Sequence, residues 1–104
     1  MRLIKPESYT GERAWAAMDI ERFDAATVRL HWTDQPYKWH VNDGPEVFVL
    51  LKGKLDMHVK DAAGEVSILP MAEGDVFHAQ SGDAHVAHPQ GAARVLVIET
   101  PGSV

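Results

Sequence analysis

Residues 39–53 read Trp39-His40-Val41-Asn42-Asp43-Gly44-Pro45-Glu46-Val47-Phe48-Val49-Leu50-Leu51-Lys52-Gly53. Asn42-Asp43-Gly44-Pro45 is a concentrated turn signal: Asn and Asp side chains bond back to their own backbone, Gly tolerates positive φ, and Pro presets φ. On either side the chain reads as extended. His40 and Asn42 are two apart, and residues two apart on a strand point the same way. Glu46, Phe48 and Leu50 share a face on the strand that follows. The tight turn lets Glu46 return on the neighbouring strand. A carboxylate opening an otherwise apolar face needs a partner if it points inward.

The rest of the chain repeats this rhythm. From residue 20 onward, short apolar runs alternate with turn signals every 8–12 residues. The runs are Thr27–Trp32, Tyr37–Val41, Glu46–Leu51, Lys54–Lys60, Glu65–Leu69, Asp75–Ala79, Ala84–Ala87 and Arg94–Glu99. In Thr27–Trp32, Val28 and Leu30 fall on one face, and Arg29 and His31 on the other. No segment after residue 20 holds a 3.6-residue period for ten residues. The pattern predicts an all-β chain of eight or nine short strands, a sandwich or barrel. Pro36, Pro70 and Pro89 sit at strand margins, where a missing N–H is tolerated. Residues 1–14 read as an N-terminal arm, and Glu12–Met18 is a candidate short helix, although Ala-rich pieces of that length are marginal.

Composition narrows the chemistry. The 104 residues suit one domain, with the barrel over roughly 27–99. There is no cysteine, which excludes disulfides, thiolate metal sites and thiol catalysis. Fifteen acidic against ten basic residues give a net charge of -5, which argues against nucleic acid and anionic membranes as partners. Met1–Pro6 lacks the apolar core of a signal peptide, and the longest uncharged apolar run is Val47–Leu51, so a cytoplasmic protein is expected. Five of the six histidines lie between His40 and His88.

The stretch from Trp39 to Glu46, with Gly53 after it, resembles the first cupin motif, G(X)5HXH(X)3-4E(X)6G. Gly74-Asp75 followed by Gln80-Ser81-Gly82-Asp83-Ala84-His85 resembles the second, G(X)5PXG(X)2H(X)3N. The resemblance implies a double-stranded β-helix, the jelly-roll barrel of the cupins. It implies a metal site in which His40, Glu46 and His85 match the family's ligands. Asn42 stands where the family usually has a second His, Asp34 at the first motif's opening Gly, Gln80 at the Pro and Pro89 at the final Asn. Two imidazoles and a carboxylate suit zinc, iron, manganese, nickel or copper, and form the facial triad of non-haem iron sites. Asn42 is a weak fourth ligand through its carbonyl oxygen, a partner of a metal-bound water, or simply a turn residue.

Other residues carry weaker signals. His58 and His31 are expected to face solvent, and His78 and His88 are candidates for positions behind the ligands or for proton carriage. Trp15, Trp32 and Trp39 are core, edge or pocket-wall residues. Phe48, Leu50, Met57, Met71 and Phe77 read as barrel lining. Arg29 and Arg94 are candidate anion anchors, although charged strand residues usually face water. Three functions fit: a metal enzyme acting on a small sugar or organic acid by isomerase-like or dioxygenase-like chemistry, a non-catalytic small-molecule binding or sensing module, and a structural dimer with a packed interior. No catalytic residue is assigned. Sheet edges that need cover predict self-association, and the resemblance implies a homodimer.

Overall fold

The structure, a computed structural model, describes residues 1–103. Among the described residues a 3-10 turn at Pro6–Ser8 precedes nine strands. They are β1 (Ala16–Arg22), β2 (Thr27–Thr33), β3 (His40–Val41), β4 (Glu46–Lys52), β5 (Leu55–Lys60), β6 (Val66–Met71), β7 (Val76–Ala79), β8 (Ala84–Pro89) and β9 (Ala93–Glu99). One sheet has the order β1-β2-β9-β4-β7, the other β3-β8-β5-β6, and every pairing is antiparallel. This is the double-stranded β-helix expected from the turn spacing and the two motifs.

The strands form because their alternation buries one face of each sheet against the other. Phe48, Leu50, Leu55, Met57, Met71, Ala87, Ala93, Val95 and Val97 make one core cluster, with Trp15, Val59 and Phe77 packed against it. The inward faces are graded along their length. β4 runs from Glu46 through Phe48 to Leu50, β9 from Glu99 through Val97 to Val95, and β8 from His85 to Ala87. Polar residues therefore gather at one end of the barrel and apolar residues close the other. At the apolar end, Gly53 has φ +99°, and a Cβ there would lie 2.7 Å from the Ala92 carbonyl oxygen. Only glycine fits where β4 turns into β5.

One expectation about the start of the chain changes. Glu12–Met18 is not helical: Ala16 N–H donates to the Arg13 carbonyl in a turn (3.1 Å), and β1 begins at Ala16. Its pairing with β2, Ala16 to Trp32 and Met18 to Leu30, supplies ladder bonds that outweigh the helix preference of a short Ala-rich piece. The first sheet also has an apolar outer face, where Leu30 is only 1% exposed. The N-terminal segment is tied to this sheet: Arg94 Nε donates to the Tyr9 carbonyl (2.9 Å) and Arg2 Nη2 to the Ile20 carbonyl (2.9 Å). Arg94 thus holds the arm and lines no part of the site described below. No helix among the described residues is long and apolar enough to cross a membrane.

Candidate metal centre

The two sheets meet at the polar end of the barrel. In one, the short strand β3 sets His40 directly opposite His85 on β8. In the other, β4 carries Glu46 inward. His85 Nε2 lies 3.0 Å from Glu46 Oε1 and 2.8 Å from Asn42 Oδ1. The His40 and His85 rings meet edge to face at 4.3 Å. One ligand atom from each of His40, Glu46 and His85 can be chosen so that all lie within 4.8 Å of one another. The Asn42-Asp43-Gly44-Pro45 turn holds this geometry, because Asn42 N–H donates to the Asp83 carbonyl and Gly82 N–H to the Asn42 carbonyl (2.8 Å each). The turn that opens β4 is thereby fastened to the turn that opens β8.

These donors suit a divalent cation. Glu46, Asn42 and His85 are all buried. His85 Nε2 can donate to Asn42 Oδ1 only when the ring proton sits on Nε2, and that proton must leave for Nε2 to act as a ligand. Glu46 Oε1 is left buried with no hydrogen-bond partner, as is His85 Nδ1. A cation would give that carboxylate oxygen the partner it lacks. Ligand atoms about 2.1 Å from an ion and at right angles to each other are about 3.0 Å apart. The two short contacts of His85 Nε2 already have that spacing. His40 Nδ1 lies 3.2 Å from the Lys38 carbonyl. A proton donated there leaves Nε2 with a free lone pair, the tautomer a ligand needs.

Electrostatics point the same way. Burial pushes the Glu46 carboxyl up, but its contact with His85, the nearby His85 and His40 rings and the Asn42 amide together hold it below its ordinary value. Glu46 is ionised at neutral pH. Its register partner on β9, Glu99, is pushed up to about 7 by burial and by the Glu46 charge beside it. Glu99 was not singled out by the sequence, where it looks like a strand-end acid.

A cavity of about 340 Å³ opens over the cluster, with Trp15, Tyr37, Arg29 and His31 in its wall. His31 and Arg29 are not solvent-facing residues of an exposed strand face. Register places them opposite Val95 and Val97, inside the barrel. Val28 and Leu30 are the outward pair. The outlying histidines fall elsewhere: His78 is exposed on β7, and His58 stacks on His88 outside the second sheet with ring centroids 3.9 Å apart. Trp39 is also outside, with Lys60 Nζ 4.3 Å from its ring centroid.

Burial lowers the His31 pKa below its ordinary 6.5, against the raising effect of its contact with the Trp15 carbonyl. Between the lowered value and 6.5 the unfolded chain binds more protons, so stability falls as pH drops through that window. In metal-depleted protein, His31→Gln is expected to flatten the decline in urea midpoint between about pH 7 and 5. Parallel curves for the two proteins would show that His31 titrates alike in both states.

The backbone trace is similar to solved barrels. A cupin-2 domain containing protein from Shewanella frigidimarina superposes with a TM-score of 0.74 at 19% identity, over 86% of this chain and 83% of that one. An uncharacterized conserved protein with a double-stranded beta-helix domain from Klebsiella pneumoniae gives 0.76 at 15% identity, over 98% and 91%. The chain has the cupin fold. A similar barrel occurs within hydroquinone 1,2-dioxygenase PnpCD in complex with Fe3+, with a TM-score of 0.78 at 18% identity. There the cupin barrel of this chain matches over 88% of its own length and 29% of the larger protein. No protein-family model and no curated protein sequence matches the chain.

Proposed function

We propose that this cupin is a metal-dependent protein acting on a small molecule, with His40, Glu46 and His85 as ligands of a divalent transition ion. Asn42 is the candidate for a further oxygen ligand. The observation that carries the reading is the buried, ionised Glu46, whose Oε1 lacks a hydrogen-bond partner 3.0 Å from His85 Nε2. A bound divalent ion supplies Lewis acidity toward a substrate oxygen. The chain's own residues do the rest. Trp15 and Tyr37 wall the cavity, and Glu99 can hold a proton beside the ligand carboxylate. Isomerase-like or dioxygenase-like chemistry on a small sugar or organic acid suits these parts. That a barrel of the same fold belongs to an iron-bound dioxygenase supports the oxidative branch.

A second reading, a binding or sensing module without turnover, is favoured by Asn42. An amide in place of an imidazole leaves three strong ligands. A cytoplasmic homodimer belongs to both readings. Edge strand β6 exposes Val66, Ile68 and Leu69, and such an edge favours pairing with a second copy. The test is elemental analysis of protein purified without added metal, repeated after chelation and reloading. Stoichiometric, reversible loading is expected, and no binding under any loading condition would remove the proposal.

A further inference from the structure

We infer that the cavity takes a small planar carboxylate, its anion held by the guanidinium of Arg29 with help from Arg13, and its flat body against Trp15 and Tyr37. This rests on the metal-dependent reading and names the ligand class of the same site.

The charge argument begins with β2. An acidic chain of net charge -5 turns Arg29 toward the barrel face of β2, its side chain 39% exposed, and sets Arg13 at the mouth of the same cavity. Arg29 Nε donates to Asp19 Oδ1 at 2.8 Å, its one hydrogen bond among the described residues. That exposed bond uses only Nε and leaves both terminal nitrogens uncommitted, a fork suited to the two oxygens of a carboxylate. Glu99, one register step away on β9, makes no ion pair with it. Arg13 has no ion-pair partner among the described residues. Even with Glu46, Glu99 and Asp19 all ionised, the two arginines and a bound divalent ion leave the cavity net positive.

The walls argue for a flat ligand. Trp15 and Tyr37 meet edge to face at 5.5 Å, and Tyr37 meets His40 in the same way at 5.6 Å. Among the described residues Trp15 is the one non-glycine residue with positive φ, at 64°, a conformation that a bulky aromatic adopts only when its surroundings impose it. Trp15 Nε1 donates to the Gln35 carbonyl at 3.0 Å, and the Trp15 carbonyl faces His31 Nδ1 at 3.3 Å. The strained turn before β1 is thus pinned so that the indole walls the cavity. At about 340 Å³ the space admits one ring and its substituents, and excludes a nucleotide or an oligosaccharide.

The test is calorimetric titration of the zinc-loaded protein with benzoate, benzamide and cyclohexanecarboxylate, with metal content measured on the same samples. Benzoate is expected to bind at least about tenfold more tightly than either analogue, since one lacks the charge and the other the plane. Arg29→Met should remove the preference for benzoate over benzamide. Arg29→Lys, which keeps the charge without the fork, should retain part of it, and Arg13→Met should reduce it. Trp15→Leu should remove the preference for benzoate over cyclohexanecarboxylate. Equal binding of benzoate and benzamide, or an unaltered preference in both Arg29 variants, would overturn the inference. Stoichiometric zinc without saturable benzoate binding overturns it and leaves the metal centre standing. Benzoate binding that survives with no metal ever loaded keeps the anion site and removes the metal centre.

Discussion

Replacing His85 by alanine is expected to abolish stoichiometric metal binding while the barrel still folds. His85 is 3% exposed, is the register partner of His40, and has Glu46 Oε1 and Asn42 Oδ1 within 3.0 Å of its Nε2. Changes in residues that merely support a ligand already cost 10–100-fold in affinity, so losing the ligand itself should cost more than about 100-fold. Glu46→Gln, nearly the same size, is expected to lose the ion as well, which separates charge from space. His58→Ala and His88→Ala remove the stacked pair outside the second sheet and should leave metal content unchanged. Elemental analysis and competition against a chromophoric chelator decide the matter. Retention of stoichiometric metal by folded His85→Ala would place the ion elsewhere.

The largest effect on stability is expected from Leu50→Ala. Leu50 is fully buried on β4, between β9 and β7, and belongs to the core cluster at the apolar end. Deleting three carbons there removes their transfer free energy and leaves a cavity that rigid sheets on both sides cannot close. A cost of about 3 kcal/mol follows. For a domain of this size that corresponds to a fall in Tm of about 12–24 °C. Val76→Ala on edge strand β7, at a mostly exposed position, should change stability by less than about 0.5 kcal/mol. Both are measured by thermal and urea unfolding of metal-depleted protein, because a bound ion would raise the apparent stability of the folded state. A loss below about 1 kcal/mol for Leu50→Ala would mean that the core repacks around the gap.

Residues 39–53 were legible because their turn chemistry and their period of two agree, and agreement between levels marks an unambiguous local structure. The second motif, ending at His85, was legible for the same reason. β1 was not, since its alanines favour a helix locally and only the distant β2 makes them a strand. On β2 the alternation was legible but its direction was not. Arg29 and His31 look solvated in a sequence, because polarity cannot tell water from a polar cavity, and Leu30 looks like core although it packs outside the sheet. Glu99 escaped notice because its importance comes from facing Glu46 across β4 and β9, a pairing between strands about fifty residues apart in the chain.

The grading of the inward faces, with acids and imidazoles at one end and Leu50, Met57 and Val95 at the other, separates two kinds of risk. Substitutions at the rim act on recognition and reactivity, and substitutions at the floor act on persistence of the fold. Sites far enough apart to share no neighbours contribute almost independently. A new specificity can therefore be selected at the rim of this barrel while the floor acts as an unchanged reserve of stability. A stabilised floor, in turn, widens the range of rim sequences that still give a folded protein.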